Sequence, residues 1–101
     1  MIVLFDIGNT NIHVSKVMDG ILLPQLRIHT DVTLTSSLIH QQIKDYLGDD
    51  HVTGIAIASV VPRLIQPLIE LSETFFHVTP LVLKPGIKTG LSIKTDYPQE
   101  V

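Results

Sequence analysis

Near the start of the 101-residue chain, between two apolar runs, lies Asp6-Ile7-Gly8-Asn9-Thr10-Asn11, whose residue types can hold an anion. A tight turn with glycine can aim successive backbone N–H groups at one spot, and Asn9, Thr10 and Asn11 add side-chain donors at the same place. Such a turn suits phosphates. The Asp6 carboxylate, emerging at the end of a buried strand, would then hold Mg²⁺ through water beside them, because Mg²⁺ keeps part of its hydration shell. Asp, Gly and Asn are also the usual residues of an ordinary hairpin turn, and the turn alone leaves both readings open.

Other stretches offer less chemistry. Lys84-Pro85-Gly86-Ile87-Lys88-Thr89-Gly90 superficially resembles the end of a Walker loop, but Ile87 separates Gly86 from Lys88 and no helix pattern follows. A solvated turn is expected there. His13, His29, His40, His51 and His77 include no pair three or four residues apart, so no metal is assigned to them. No serine sits in a Gly-x-Ser-x-Gly elbow, which argues against acyl transfer. Ser59 ends an apolar run, at the place where ligand crevices open in α/β sheets; it can bind a ligand or cap the segment that follows.

The elements that position these residues follow from hydrophobic periodicity. Ile2-Val3-Leu4-Phe5 reads as a strand buried on both faces. Ile12 with Val14, then Leu26 with Ile28, show the period of two of half-solvated strands, and Asp19-Gly20 marks a hairpin. The opening is therefore a three-stranded antiparallel meander. From Thr35, Ile39, Ile43, Tyr46 and Leu47 trace one face of a helix that Gly48 can cap. Ile55-Ala56-Ile57-Ala58 is a second buried strand, and Leu64, Leu68, Leu71 and Phe75 trace a second helix. Proline is tolerated only in a first turn, so that helix either begins near Leu64 with Pro67 inside its first turn or is kinked there. Leu81-Val82-Leu83 is a further strand, closed by Pro85 and Gly86, and Leu91 to Lys94 is a short alternating piece. The order β-β-β-α-β-α-β predicts an α/β fold, a ribonuclease H-like mixed sheet with flanking helices.

Composition narrows the class. Seven Lys and Arg against ten Asp and Glu leave a net charge of −3, which provides no basic footprint for nucleic acid. With 45% hydrophobic and 17% charged residues the chain should form a compact core. The absence of cysteine excludes disulfides and thiolate zinc sites. The longest apolar run, Ile55 to Val61, is far shorter than the roughly 20 residues of a membrane span. No basic n-region precedes Asp6, so no signal peptide is expected, and the expected location is the cytoplasm. Asp96 to Val101 ends without a cap or closing element, the pattern of a chain cut from a longer one.

Four motifs then occur in a telling order: Leu4-Phe5-Asp6-Ile7-Gly8-Asn9-Thr10-Asn11, Ala58-Ser59-Val60-Val61-Pro62, Lys84-Pro85-Gly86-Ile87-Lys88-Thr89-Gly90-Leu91 and Pro98-Gln99-Glu100-Val101. In that order they resemble the type III pantothenate kinases, a family that also contains proteins named Bvg accessory factor. The resemblance runs the length of the chain and corresponds to about the first two fifths of a typical member. It implies one half of the acetate and sugar kinase, chaperone and actin superfamily fold, in which two ribonuclease H-like halves hold ATP between them. Residues 1–101 would be the N-terminal domain, with the second half absent.

On that resemblance Asp6, Gly8, Asn9, Thr10, Asn11 and His13 look like the first phosphate-binding loop for ATP. Ser59, Val60, and Thr95 or Tyr97 look like part of the pantothenate pocket. Members commonly carry an aromatic residue followed two positions later by Asn-Pro, whereas this chain has Thr95 and then Tyr97-Pro98. The family's Gly-x-Asp-Arg motif, whose aspartate looks like the general base, would begin just after Val101. No catalytic residue is therefore expected within the chain. The resemblance further implies Mg²⁺, a monovalent cation (K⁺ or NH₄⁺) held outside these residues, and a homodimer acting on pantothenate and ATP in the first step of coenzyme A synthesis. The alternative is a non-catalytic regulatory or interaction domain of the accessory-factor kind. Another kinase or ATPase of the same superfamily would share the first loop but would not explain Ser59 to Pro62 together with Pro98 to Val101.

Overall fold

The computed structural model describes residues 1–83. The Lys84 to Gly90 turn, the Leu91 to Lys94 piece, Thr95 and Tyr97 lie outside the described residues. The elements run β1 (Ile2–Ile7), β2 (Asn11–Met18), β3 (Ile21–Leu22), β4 (Leu26–His29), α1 (Ser36–Leu47), β5 (Gly54–Ser59), α2 (Ile65–Phe75) and β6 (Leu81–Leu83).

Strand β1 lies at the centre of the sheet. On one side it pairs antiparallel with β2, from Ile2 opposite Val17 to Ile7 opposite Ile12, and on the other parallel with β5, from Ile2 opposite Gly54 to Ile7 opposite Ser59. Strand β6 adds parallel to β5. The meander forms as read, with both residues of the hairpin between β2 and β3 in the left-handed region, Asp19 at φ 52° and Gly20 at φ 77°. That is the hand a two-residue turn needs to match strand twist. The third strand is broken, however. Val17 pairs with Leu22 and Val14 with Leu26, so Ser15 and Lys16 face the three residues Leu23, Pro24 and Gln25. Proline cannot donate to the ladder, and the extra residue makes the bulge that accommodates it.

Helix α1 begins at Thr35, whose hydroxyl accepts from the Leu38 N–H at 3.2 Å, and ends where the Gly48 N–H donates to Lys44 C=O at 3.0 Å. Twelve residues are too few to hold a helix in water alone. Burial of Ile39, Ile43 and Leu47, at about 1.5–3 kcal/mol each, outweighs the cap at about 1 kcal/mol. The second helix follows the first of the two alternatives: a 3₁₀ turn at Pro62–Leu64 leads into α2, and Pro67 sits in its first turn. Leu64, Leu68 and Leu71 are fully buried, and the buried Ser72 hydroxyl is satisfied by Leu68 C=O at 2.7 Å. His40 of α1 stacks on Phe75 of α2 with ring centroids 4.0 Å apart.

Val3, Phe5, Ile7, Ile12, Val14, Ile55 and Ile57 form one cluster with the buried residues of both helices. The sheet thus has one covered face, and its order, β3 and β4 beside β2, then β1, β5 and β6, is the ribonuclease H-like arrangement read from the sequence. One expectation fails. Strand β1 is buried on a single face: Ile2 is 44% exposed and Leu4 half-buried, because no described element covers the second face. There the row Gly54, Ala56 and Ala58, walled by Ile2, Leu4, Leu81 and Leu83, forms an apolar trough of about 580 Å³.

Candidate functional site

Asp6, Ile7 and Ser59 stand at the carboxyl ends of the parallel strands, where α/β sheets open their ligand crevices. Ile7 is buried and anchors the end of β1, while its neighbour Asp6 is exposed on the open face, beside Ala58 of β5 and opposite His13 of β2. Gly8, Asn9 and Thr10 then form the hairpin tip. The Gly8 N–H donates to Asn11 C=O at 2.9 Å, which leaves Asn9 and Thr10 exposed at the apex, with Asn11 and His13 half-buried below it.

The tip is held from outside as well. At the end of β4 the Thr30 hydroxyl donates to Gly8 C=O at 2.8 Å, and the Thr30 N–H donates to Thr10 C=O at 2.8 Å. The next residue, Asp31, turns the chain away by accepting from the Thr33 N–H and hydroxyl, bonds that hold its carboxyl below the ordinary value. From β5, the Val60 N–H donates to Ile7 C=O at 3.0 Å. The Ser59 hydroxyl is 2.9 Å from both the Val61 N–H and the Val61 C=O, and Val60 between them is 54% exposed.

No residue from Asp6 to Asn11 has a left-handed φ; among the described residues that conformation falls at Asp19, Gly20, Gly48 and His77. The tip presents a hairpin apex with Asn9 and Thr10 exposed on it. One reading of the sequence needs correction: Ser59 does not cap the segment after it. The 3₁₀ turn starts at Val61 without a side-chain cap, and the Ser59 hydroxyl closes a two-residue turn on Val61.

A Cβ on Gly8 would meet Asn11 C=O at 3.4 Å, an ordinary contact, so the hairpin itself does not demand glycine there. A bare Gly8 leaves room for a ligand to reach the backbone. Among the described residues no group of three His, Cys, Asp or Glu is gathered to hold a metal, and Asp6, beside His13 and Ala58, is the carboxylate that the ends of β1, β2 and β5 carry. That donor set fits an ion held mainly by phosphate and water, as Mg²⁺ is, and does not fit an all-protein cage. The structure brings Asp6, Gly8, Asn9, Thr10, Asn11, His13, Ser59 and Val60 to one edge of the sheet. Thr30 was not legible as part of that edge, because only the pairing of Asn11 with His29 sets it against the tip.

The chain matches the family model described as Type III pantothenate kinase over residues 2–101. It is 37% identical over 101 residues to the Type III pantothenate kinase of Acholeplasma laidlawii, covering all of this chain and 41% of that protein. It is 39% identical over 106 residues to the one from Exiguobacterium sibiricum, covering all of this chain and 42% of that protein. The chain thus spans about two fifths of the length of the curated relatives it matches. A solved Ppx/GppA family member from Aquifex aeolicus aligns with 83% of this chain and 35% of that one, at a TM-score of 0.39 and 12% identity, a likeness too slight to build on.

Proposed function

We propose a function on the premise that follows from this match: the chain belongs to the type III pantothenate kinase family. Its residues form the N-terminal, phosphate-binding domain of an enzyme that transfers the γ-phosphoryl group of ATP to the 4′-hydroxyl of pantothenate, yielding 4′-phosphopantothenate and ADP. The observation that carries the reading is the meeting of two segments at the sheet's carboxyl edge: the Asp6 to Asn11 hairpin and the Ser59 to Val60 turn, joined by the Val60 N–H on Ile7 C=O at 3.0 Å. A nucleotide phosphate on the first and pantothenate on the second would be neighbours, as phosphoryl transfer requires, since its catalysis is chiefly positioning and charge stabilisation.

In this reading Gly8, Asn9, Thr10, Asn11 and His13 bind and orient the phosphates. Asp6 holds Mg²⁺ through water; when bound, that ion neutralises charge on the phosphate oxygens. Ser59 fixes the turn that presents Val60 to pantothenate, and Thr95 or Tyr97 completes that pocket. The general base, the monovalent-cation site and the second phosphate loop belong to sequence beyond residue 101. A homodimer in the cytoplasm is part of the same proposal, supported by family membership.

The test is formation of phosphopantothenate, measured by mass spectrometry with ADP release. A full-length protein carrying this sequence should form it from pantothenate and ATP, and residues 1–101 alone should not. Full-length protein that leaves pantothenate unphosphorylated would overturn the reading. Turnover by the 101-residue chain would overturn the placement of the base.

A further inference from the structure

We propose that Thr30 is a positioning residue that sets the hairpin tip for ATP phosphates. The proposal rests on the phosphate-binding reading of Asp6 to Asn11. Through one residue β4 grips both flanks of the apex: the Thr30 hydroxyl on Gly8 C=O and the Thr30 N–H on Thr10 C=O, each at 2.8 Å. Asn9, the residue between them, is exposed. Carbonyl oxygens at such an apex would repel an anion, and Thr30 draws the two that flank Asn9 toward the third strand. A hairpin tip with only its own closing bond would be free to rock on its strands. With Thr30 in place the tip is tied to a strand that does not belong to the hairpin, so ordering it no longer falls to the ligand.

The grip divides into a main-chain part, which any residue except proline provides, and a hydroxyl part, which is specific to Thr or Ser. In the full-length protein, Thr30→Val keeps the β-branched shape and the N–H but removes the hydroxyl. KM for ATP should rise about five- to tenfold, the effect of one lost hydrogen bond, with KM for pantothenate unchanged. Amide exchange at Gly8 to Asn11 should quicken in the same variant, and Thr30→Ser should restore both. A residue with only a stability role would lower the melting temperature and leave the ATP dependence alone. The proposal is overturned if Thr30→Val keeps the parent KM for ATP, whether or not exchange at the tip quickens. Asp6→Asn in the same protein separates the two failures: impaired ATP use there with normal ATP use in Thr30→Val sinks the Thr30 role alone, and normal ATP use in both sinks the phosphate-loop reading as well.

Discussion

In the proposed function Asp6 and Gly8 would act in opposite senses at the same edge, one by what it carries and the other by what it lacks. Asp6 is exposed at the end of a strand whose neighbouring residue, Ile7, is buried, so its carboxylate can be removed without disturbing the core. In the full-length protein Asp6→Asn keeps size and turn propensity. We expect an unchanged melting temperature with a fall in kcat of about 10² or more at saturating Mg²⁺ and ATP, the scale of deleting one electrostatic stabiliser. A residue that only forms a turn would do the reverse, losing stability while keeping its rate. Gly8→Ala should raise KM for ATP with little change in melting temperature, because the added methyl finds ordinary contact with Asn11 C=O at 3.4 Å inside the hairpin and crowds only what approaches from outside. A Gly8→Ala protein with normal ATP kinetics would show that nothing comes close to that backbone.

The broken third strand is the element on which the edge depends, because the bulge at Pro24 sets the register that brings Thr30 to the tip. Two ties hold the bulge. Gln25 donates to the Ser15 hydroxyl at 3.1 Å and lies 3.3 Å from His13, and the Tyr46 hydroxyl of α1 donates to Pro24 C=O. Lys16 joins them, donating to Tyr46 C=O at 2.6 Å with its ammonium 4.3 Å from the Tyr46 ring centre. Burial raises the Tyr46 phenol above its ordinary value of 10.0, against a smaller opposing effect of Lys16. A folded-state pKa above the unfolded one means that the contribution is complete below about pH 10 and is lost as pH rises through the folded value. Tyr46→Phe, by removing the hydroxyl's bond to Pro24 C=O, should cost about 1 kcal/mol at neutral pH and lower the melting temperature by about 4–8 °C; by removing the titrating phenol it should flatten the alkaline limb of the stability profile above pH 10. A variant with the parent's alkaline limb would show that Tyr46 does not report on this contact.

At the largest scale the governing fact is that the described residues form a sheet with one finished face. Parallel strands are normally covered on both sides, yet Ile2 and Leu81 are 44% and 54% exposed beside the Gly54, Ala56 and Ala58 row. An apolar surface of this kind associates. Residues 1–101 by themselves should therefore sediment as more than a monomer at high concentration, and Ala56→Lys, which places a charge in the middle of the trough, should shift them toward monomer without lowering the melting temperature. Equal association of the two proteins would locate the contact elsewhere. The elements were legible from sequence because each rests on local causes: the two periodicities, the Asp19-Gly20 turn and the Gly48 cap; that Pro67 sits in the first turn of α2 rather than at a kink was left to the structure. The residues proposed to bind phosphate could be singled out for the same reason, since Asp6 to Asn11 is one continuous stretch. What sequence could not decide depends on pairing between distant segments. The one-residue slip at Pro24 is visible only once β2 supplies a register, and it alone sets Thr30 against Thr10. The fate of the Ser59 hydroxyl turned on the backbone of Val61. Which face of β1 lies open depended on both helices packing on the same side, and an apolar run such as Ile2 to Phe5 reads identically whether one face or two are covered.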